Sequence, residues 1–482
     1  MCDVGAAIGV PFAAATTVAA GQARSNHRGQ DAAKVVSSDG KVFHEHGGIG
    51  LVGRVFEGMN IGEALPGDAA LLHLRYSTTG AAASADNIQP FRRVLSRHGE
   101  TAVAHNGNLT NYELLAARLT AKGCELKSTT DSEVFLPLLE EADTDDMFDA
   151  IAYMSSRVEG AYALVILTHQ ALYLVRDPFG FRPLFYAPCG QGWIASSETN
   201  ALDMVRTGPW CEVPAGSIVR CARDGVTFRD YAFARRGGRE VGPDDVVLRK
   251  CFFEKYYFMR PDSWWDESIY LFRRRVGAAL GEKCRKRGIS GDIVVPVLDS
   301  AAPYAIGVAA ALGVPLEPGL VRNHYFEGRN FILPDSLSRQ RGVDMKYACA
   351  PEVFWGKNVV LVDDSIVRAD TLVPIIKMIR AAGAVSVTVL IPCPRIISPC
   401  SYGINMKTKN ELVAAFLTDE EIARKINADR LVYGEVPEML ALLDDPHGRS
   451  HCITCLTGDL PTEGVEVIYQ IGHRSDALTT DL

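Results

Sequence analysis

The stretch Lys357-Asn-Val-Val-Leu-Val-Asp-Asp-Ser-Ile-Val-Arg368 decides the fold of the second half of the chain. Its run Lys357–Val362 is apolar without alternation, the pattern of a strand covered on both faces, and it stops at two adjacent carboxylates, Asp363 and Asp364. After a loop to Thr371, the spacing predicts an amphipathic helix over Leu372–Ala382, with Gly383 as its C-cap, then a strand over Val385–Ile391. Upstream the pattern repeats, with an apolar run Asp292–Val297, a loop Leu298–Ala302 and a helix Ala302–Leu312. Two strand–loop–helix units predict a parallel α/β sheet, whose ligands bind at the carboxyl ends of the strands. Those ends are Leu298–Ala302 and Asp363–Thr371.

The first half reads differently. Short strands (Ala70–Tyr76, Thr101–His105, Ala161–Leu167, Ala171–Val175) alternate with helical stretches Tyr112–Lys122 and Glu133–Glu141, which predicts stacked sheets and helices. At 482 residues two domains are expected, and the polar, Gly-rich Ala234–Asp245 marks their junction. The boundaries fall at 2–240 and 250–482. A formal net charge of −8 gives no electrostatic reason to expect nucleic acid or a membrane as partner. The apolar Val4–Ala20 lacks the preceding basic residues of a signal peptide, carries Pro11 and is short for a membrane span, so a buried strand and turn in a cytoplasmic protein is expected. Twelve cysteines without dense even spacing suit a reduced set, with Cys124, Cys189, Cys211, Cys221, Cys284, Cys349 and Cys393 mostly as small buried residues.

Once Met1 is removed, Cys2 carries a thiol beside its own α-amine, the nucleophile–base pairing that acyl transfer requires. Its company is specific. His27-Arg-Gly-Gln30, Arg75-Tyr-Ser-Thr-Thr-Gly80, His105-Asn-Gly-Asn108, Thr130-Asp-Ser-Glu133, Arg176-Asp-Pro-Phe-Gly-Phe-Arg-Pro183 and Ser197-Glu-Thr199 occur in that order. Together they resemble the glutaminase domain of class II, N-terminal-nucleophile glutamine amidotransferases, and NIQPF, HNGNLTN and RDPFGFRPL match the amidophosphoribosyltransferase branch. The resemblance implies an Ntn-hydrolase αββα sandwich followed by a type I phosphoribosyltransferase-like domain. It implies Cys2 as nucleophile, the Asn106 amide and Gly107 N–H as oxyanion donors, and a glutamine site at Arg75, Asp131 and Arg28. Oxyanion donors, a guanidinium for the α-carboxylate and a carboxylate for the α-ammonium are what L-glutamine hydrolysis needs. One departure stands out: the family follows its Cys with Gly, and this chain has Asp3. A carboxylate there raises the pKa of the neighbouring amine and slows the thiol's base, or else points to solvent.

Cys251 in CFFEKYYFMRPDS, Cys400 in SPCSYGIN, and Cys452 and Cys455 in HCITCLTGDLPTE resemble the ligands of the iron–sulfur-containing members. Four thiolates suit a [4Fe–4S] cluster and also a structural zinc; the resemblance favours the cluster, as a staple for the C-terminal tail. Val359–Arg368 resembles the family's phosphoribosyl pyrophosphate motif, which assigns Asp363, Asp364, Ser365, Arg368 and Thr371 to the acceptor and Asp363 and Asp364 to Mg²⁺. Asp299, Ser300 and, in the closing loop, Arg329 complete the acceptor set.

The phosphate-facing residues depart from the pattern. Gly-Thr-Thr becomes Ala369-Asp370-Thr371, Asp-Ser-Gly-Arg becomes Asp299-Ser300-Ala301-Ala302, and the closing loop gains Glu327 while Asp344 enters a segment usually rich in Arg. An Ala in a left-handed backbone costs roughly 1–2 kcal/mol. A carboxylate about 4 Å from a phosphate costs roughly 4 kcal/mol at an intermediate dielectric. The expected activity is amination of phosphoribosyl pyrophosphate by glutamine-derived ammonia, the first step of purine synthesis, in a homo-oligomer. The rival readings are a relative that aminates another activated acceptor, and a silent sensor or partner-binding protein.

Overall fold

The computed structural model describes residues 2–76, 84–236, 247–323, 346–445, 448 and 450–470. In the first half, β1 (Asp3–Ile8), β2 (Ala32–Ser38), β3 (Phe43–Ile49), β4 (Ala69–Arg75), β5 (Phe91–Leu95), β6 (Gly99–Leu109), β7 (Gly160–Leu167) and β8 (Ala171–Arg176) are followed by β9 (Phe185–Cys189), β10 (Gly192–Ser196), β11 (Cys211–Glu212), β12 (Ser217–Ala222) and β13 (Gly225–Asp230). They form two antiparallel sheets, ordered β11-β9-β10-β1-β4-β2-β3 and β13-β12-β8-β7-β6-β5. Side chains alternate along a strand, so each sheet has two apolar faces to cover. Val4, Ala6 and Ile8 meet Ala102, Ala104 and Val165 between the sheets. Ala7, Leu72 and Leu74 pack under the helix Ala13–Ala20. Val103, Leu164 and Ile166 pack under the helices Tyr112–Ala121, Phe135–Glu140 and Met147–Ser155. The expected αββα sandwich results.

The expected buried strand and turn over Val4–Ala20 is corrected in its second part. After β1 the chain turns at Pro11-Phe12 and forms a helix, Ala13–Ala20, continued by a π-helical turn Gly21–Ser25.

The chain continues through β14 (Ala232–Arg236), β15 (Lys250–Cys251), β16 (Trp264–Trp265) and β17 (Glu267–Ser268) to the helix Ile269–Lys286. Next come β18 (Ile293–Pro296), β19 (Leu320–Arg322), β20 (Tyr347–Cys349), β21 (Asn358–Val362), β22 (Ser386–Ile391) and β23 (Arg430–Tyr433). Strands β18, β21, β22 and β23 form a wholly parallel four-stranded sheet in that order, flanked by the helices Ala302–Leu312, Leu372–Ala381 and Asp419–Ile426. Gly383, at φ +93°, ends the middle helix as expected. The tail then returns to the first half. β24 (His451–Cys452) pairs in parallel with β15, and β25 (Val465–Tyr469) pairs antiparallel with β14. The part of the Gly-rich junction beyond Arg236 lies outside the described residues. No helix among the described residues is long and apolar enough to cross a membrane.

Candidate active sites

Alternation along β1 sends Cys2 to the inter-sheet face with Val4, and Asp3 to the opposite, helix-covered face with Ala7. Cys2 is 9% exposed, and its Sγ lies 3.5 Å from both the amide and the carbonyl of Tyr76. Burial pushes its thiol pKa up, so the nucleophile needs a base. Asp3 does not reach solvent. It is 1% exposed, lines a second small cavity with Ser25 and Thr17, and burial pushes its carboxyl up to about 6.

Cys2 opens into a cavity lined by Arg75, Tyr76, Gln89, His105, Gly107, Thr130, Asp131 and Ser132. The Arg75 and Asp131 expectations therefore converge with the nucleophile. The Leu109 N–H donates to Asp131 Oδ2 at 2.8 Å, which fixes the carboxylate beside the cavity. A buried network absent from the sequence reading supports that wall. The His105 N–H donates to Gln89 Oε1 at 2.7 Å, Gln89 Nε2 donates to Ser132 Oγ at 3.0 Å, and His105 Nδ1 lies 2.9 Å from the same hydroxyl. Gln89 and His105 stand inside NIQPF and HNGNLTN, so their motifs were visible although their roles were not.

Asn106 is 1% exposed, yet neither its Oδ1 nor its Nδ2 has a hydrogen-bond partner. Each such buried group costs about 1–3 kcal/mol when unsatisfied. The neighbours of Asn106, His105 and Gly107, both line the Cys2 cavity, and an unpartnered amide between them is what an oxyanion donor looks like before substrate arrives. Gly107 is required by crowding: a Cβ there would sit 1.9 Å from the Ala161 carbonyl oxygen.

Arg28 corrects an expectation. It is fully buried behind Cys2 rather than lining the cavity. Its Nε donates to the Cys2 carbonyl at 3.1 Å, and its Nη atoms donate to Glu198 at 2.7 Å and Glu254 at 2.9 Å. Arg182 meets Glu254 at 3.5 Å and donates to the Tyr402 carbonyl. The HRGQ and RDPFGFRP motifs thus close on a carboxylate of the second half, and Arg28 holds the nucleophile's main chain.

At the acceptor end, Asp363 and Asp364 emerge from β21, 7% and 5% exposed. Ser300 and Ser365 both donate to Asp364, the latter at 2.6 Å. Burial first and mutual repulsion second push the Asp363 carboxyl well up; burial also raises Asp364. Two such carboxylates suit ribose hydroxyls or a divalent cation, which would restore their ionised forms. Two cations of this end are paired within the chain. Arg322 pairs with Asp299, and Arg368 pairs with Glu411. Ala369 has φ +67°, so the substituted glycine position is left-handed, with half-buried Asp370 and then Thr371 leading into the helix Leu372–Ala381. Arg329, Glu327 and Asp344 lie outside the described residues.

Cys251 and Cys452 stand opposite each other in the β15–β24 register. Cys455, buried like them, lies within electrostatic range of Cys251, Cys400 and Cys452. The Tyr402 N–H approaches Cys400 Sγ at 3.4 Å. Among the described residues, no three Cys, His, Asp or Glu side chains close on a single metal ion. Of the other cysteines, Cys189, Cys221, Cys284 and Cys393 are buried, while Cys124, Cys211 and Cys349 are part-exposed.

A family model described as a glutamine amidotransferase domain matches residues 73–204. The amidophosphoribosyltransferase of Methanocaldococcus jannaschii is 40% identical over 451 residues, covering 91% of this chain and 92% of that one. The Bacillus subtilis amidophosphoribosyltransferase is 35% identical over 461 residues, covering 94% and 92%. The solved glutamine phosphoribosylpyrophosphate amidotransferase from B. subtilis, complexed with ADP and GMP, superposes with a TM-score of 0.84 at 33% identity over 99% of each chain. With identity of this order along nearly its whole length, and with both halves folded alike, the chain belongs to the amidophosphoribosyltransferase family.

Proposed function

We propose that this chain hydrolyses L-glutamine at Cys2 and delivers the ammonia to phosphoribosyl pyrophosphate, giving 5-phosphoribosylamine for purine synthesis. The observation that carries the reading is the cavity joining Cys2, Arg75, Gly107 and Asp131, with the unpartnered Asn106 amide on the residue between two of its lining residues, His105 and Gly107. Cys2 Sγ attacks the side-chain carbonyl carbon of glutamine, and the thiol proton passes to the α-amine freed by removal of Met1. Asn106 Nδ2 and the Gly107 N–H stabilise the oxyanion. The amine returns its proton to the departing nitrogen, which leaves as ammonia; water then hydrolyses the thioester to glutamate. Arg75 takes the substrate carboxylate and Asp131 its ammonium.

At the second site the ammonia lone pair bonds the anomeric carbon as its C–O bond to pyrophosphate breaks, and one proton is lost. Asp363 and Asp364 hold the ribose hydroxyls, and Ser300, Ser365, Arg368 and Thr371 take the phosphates. Asp363 and Asp364 would hold Mg²⁺, which when bound would neutralise charge on the pyrophosphate leaving group. Cys251, Cys400, Cys452 and Cys455 are read as the ligands of a [4Fe–4S] cluster, supported by the register of Cys251 with Cys452 and by the electrostatic range of Cys455 to the other three. Iron and sulfide analysis of anaerobically purified protein tests this, and zinc in their place overturns it. The protein is read as a cytoplasmic homo-oligomer; exposed Trp264, Tyr270 and Leu271 offer apolar surface for self-association.

One observation favours a second acceptor. Arg322 and Arg368 are already held by the chain's own carboxylates, and Asp370 adds another near the phosphate loop. An anaerobic assay with phosphoribosyl pyrophosphate and Mg²⁺, following glutamate and pyrophosphate together, decides. Coupled release supports the first reading, glutamate alone the second, and neither product a silent protein.

A further inference from the structure

The strand that carries the oxyanion donors is not held by its own half alone. β6 runs through Asn106, Gly107 and Asn108, and Gly107 lines the Cys2 cavity. Against this stretch lies Ser401-Tyr402-Gly403 of the second half. Asn108 Nδ2 donates to the Ser401 carbonyl at 2.9 Å, across 293 positions of chain. Gly403, at φ +106°, comes so close that a Cβ on it would stand 3.0 Å from both the carbonyl carbon and the carbonyl oxygen of Gly107. Main chain meets main chain at the oxyanion glycine, with no side chain between them to absorb a shift.

The segment is anchored in both halves. Ile404 and Met406 are buried in the core of the parallel-sheet half, and the Cys400 N–H donates to the Met406 carbonyl at 2.9 Å, which closes the loop on itself. The Tyr402 ring stacks on Phe181 of the first half, with centroids 4.5 Å apart. The Tyr402 carbonyl accepts from Arg182 Nε at 3.1 Å. Through Glu254 and Arg28 that same guanidinium is linked to the Cys2 carbonyl. The nucleophile and the oxyanion glycine stand on different sheets, yet both are tied to this one frame.

We propose that Ser401–Gly403 is a positioning segment for the oxyanion hole: it fixes the main chain of Gly107 relative to Cys2, so glutamine hydrolysis in the first half depends on main chain supplied by the second. The inference rests on the reading of Gly107 as an oxyanion donor. A donor displaced by a few tenths of an ångström loses hold of the transition state, while the groups that bind glutamine in its ground state keep theirs. Asp131 hangs on the neighbouring Leu109 N–H, so the glutamine KM reports whether a disturbance of β6 spreads to the substrate's ammonium site.

The test is glutaminase kinetics on the full chain for Asn108→Ala, Asn108→Asp, Gly403→Ala and Gly225→Ala, with melting temperatures alongside. Cys2 alkylation by iodoacetamide, which forms no oxyanion, reads the thiol by itself. Asn108→Asp keeps the size and turns the donor into an acceptor facing the Ser401 carbonyl. Gly225, at φ +126° with open space around it, gives an alanine the same kind of backbone strain and no neighbour to push. Gly403→Ala lowers kcat about tenfold or more and the two Asn108 variants lower it about threefold or more, while KM and the alkylation rate stay within about twofold. Gly225→Ala keeps the wild-type kcat. The proposal is overturned if the Asn108 variants and Gly403→Ala keep wild-type kcat, if alkylation falls or KM rises in parallel, or if Gly225→Ala loses as much as Gly403→Ala. A wild-type chain that hydrolyses no glutamine overturns the proposed function instead, before any variant is compared. Should Gly403→Ala lose its cooperative melt, the two Asn108 variants decide.

Discussion

Around Cys2 the chain leaves a buried amide without partners, whereas around Asp363 several charged and hydroxyl side chains are engaged with one another. On the glutamine side the Asn106 amide is buried without a partner. On the acceptor side Arg322 is paired with Asp299, Arg368 with Glu411, and Ser300 and Ser365 are turned onto Asp364. An open site carries its cost in the free protein and recovers it when the reacting charge appears. A closed site is stable empty, and its substrate must displace internal ion pairs before it gains anything. One family framework can thus hold two sites in opposite states of preparation.

The comparison breaks most sharply at the nucleophile. Cys2→Ala lowers glutamine-dependent amination by about a thousandfold or more and leaves amination by added ammonium chloride near wild type. Loss of both activities would mean that the two sites are not separable. Asp3 gives the next effect. Its carboxyl is raised from 3.8 to about 6, so between those values the folded chain binds the proton more tightly than the unfolded one, and stability falls as pH rises through that window. Above it the penalty is complete. Asp3→Asn therefore stabilises by about 2–3 kcal/mol at pH 7.5 and by little near pH 4, as read by urea denaturation at both pH values.

On the acceptor side, Asp370→Thr lowers the KM for phosphoribosyl pyrophosphate by about tenfold with saturating Mg²⁺, while the glutamine KM is unchanged. An unchanged acceptor KM would show that Asp370 turns away from the phosphate. The smallest effect is Ala369→Gly, which relieves the left-handed strain at φ +67° and raises stability by about 1 kcal/mol or less, measured by thermal denaturation.

Much of this architecture could be read from local pattern. The apolar runs at 292–297 and 357–362 became β18 and β21 to within one or two residues, and the helix Ala302–Leu312 has the expected ends. The left-handed backbone at Ala369 was foreseeable because a glycine stands there in the family pattern. Less legible was Ala13–Ala20, where Phe12 precedes the helix in a left-handed conformation and offers no side-chain cap, so no start signal exists. Arg28 was misassigned for a different reason. Its motif pointed to glutamine, but Glu254, the partner that fixes its role, lies 226 positions away. The idle state of the Asn106 amide belongs to tertiary structure alone, since no residue type announces that it will be left unpaired.

The strand pair β14–β25 also sets an order of events during synthesis. Arg235 closes an ion pair with Glu466, 231 positions downstream. At typical elongation speeds the ribosome needs roughly 10–50 s to span that interval. Throughout it the first half exposes an unpaired edge, and Glu254, which anchors Arg28, emerges only after every strand of the sandwich. Cys2 is made near the start of synthesis and is among the last residues to be set in place. A chain truncated before Glu254 would therefore carry Cys2 without the carboxylate that holds Arg28.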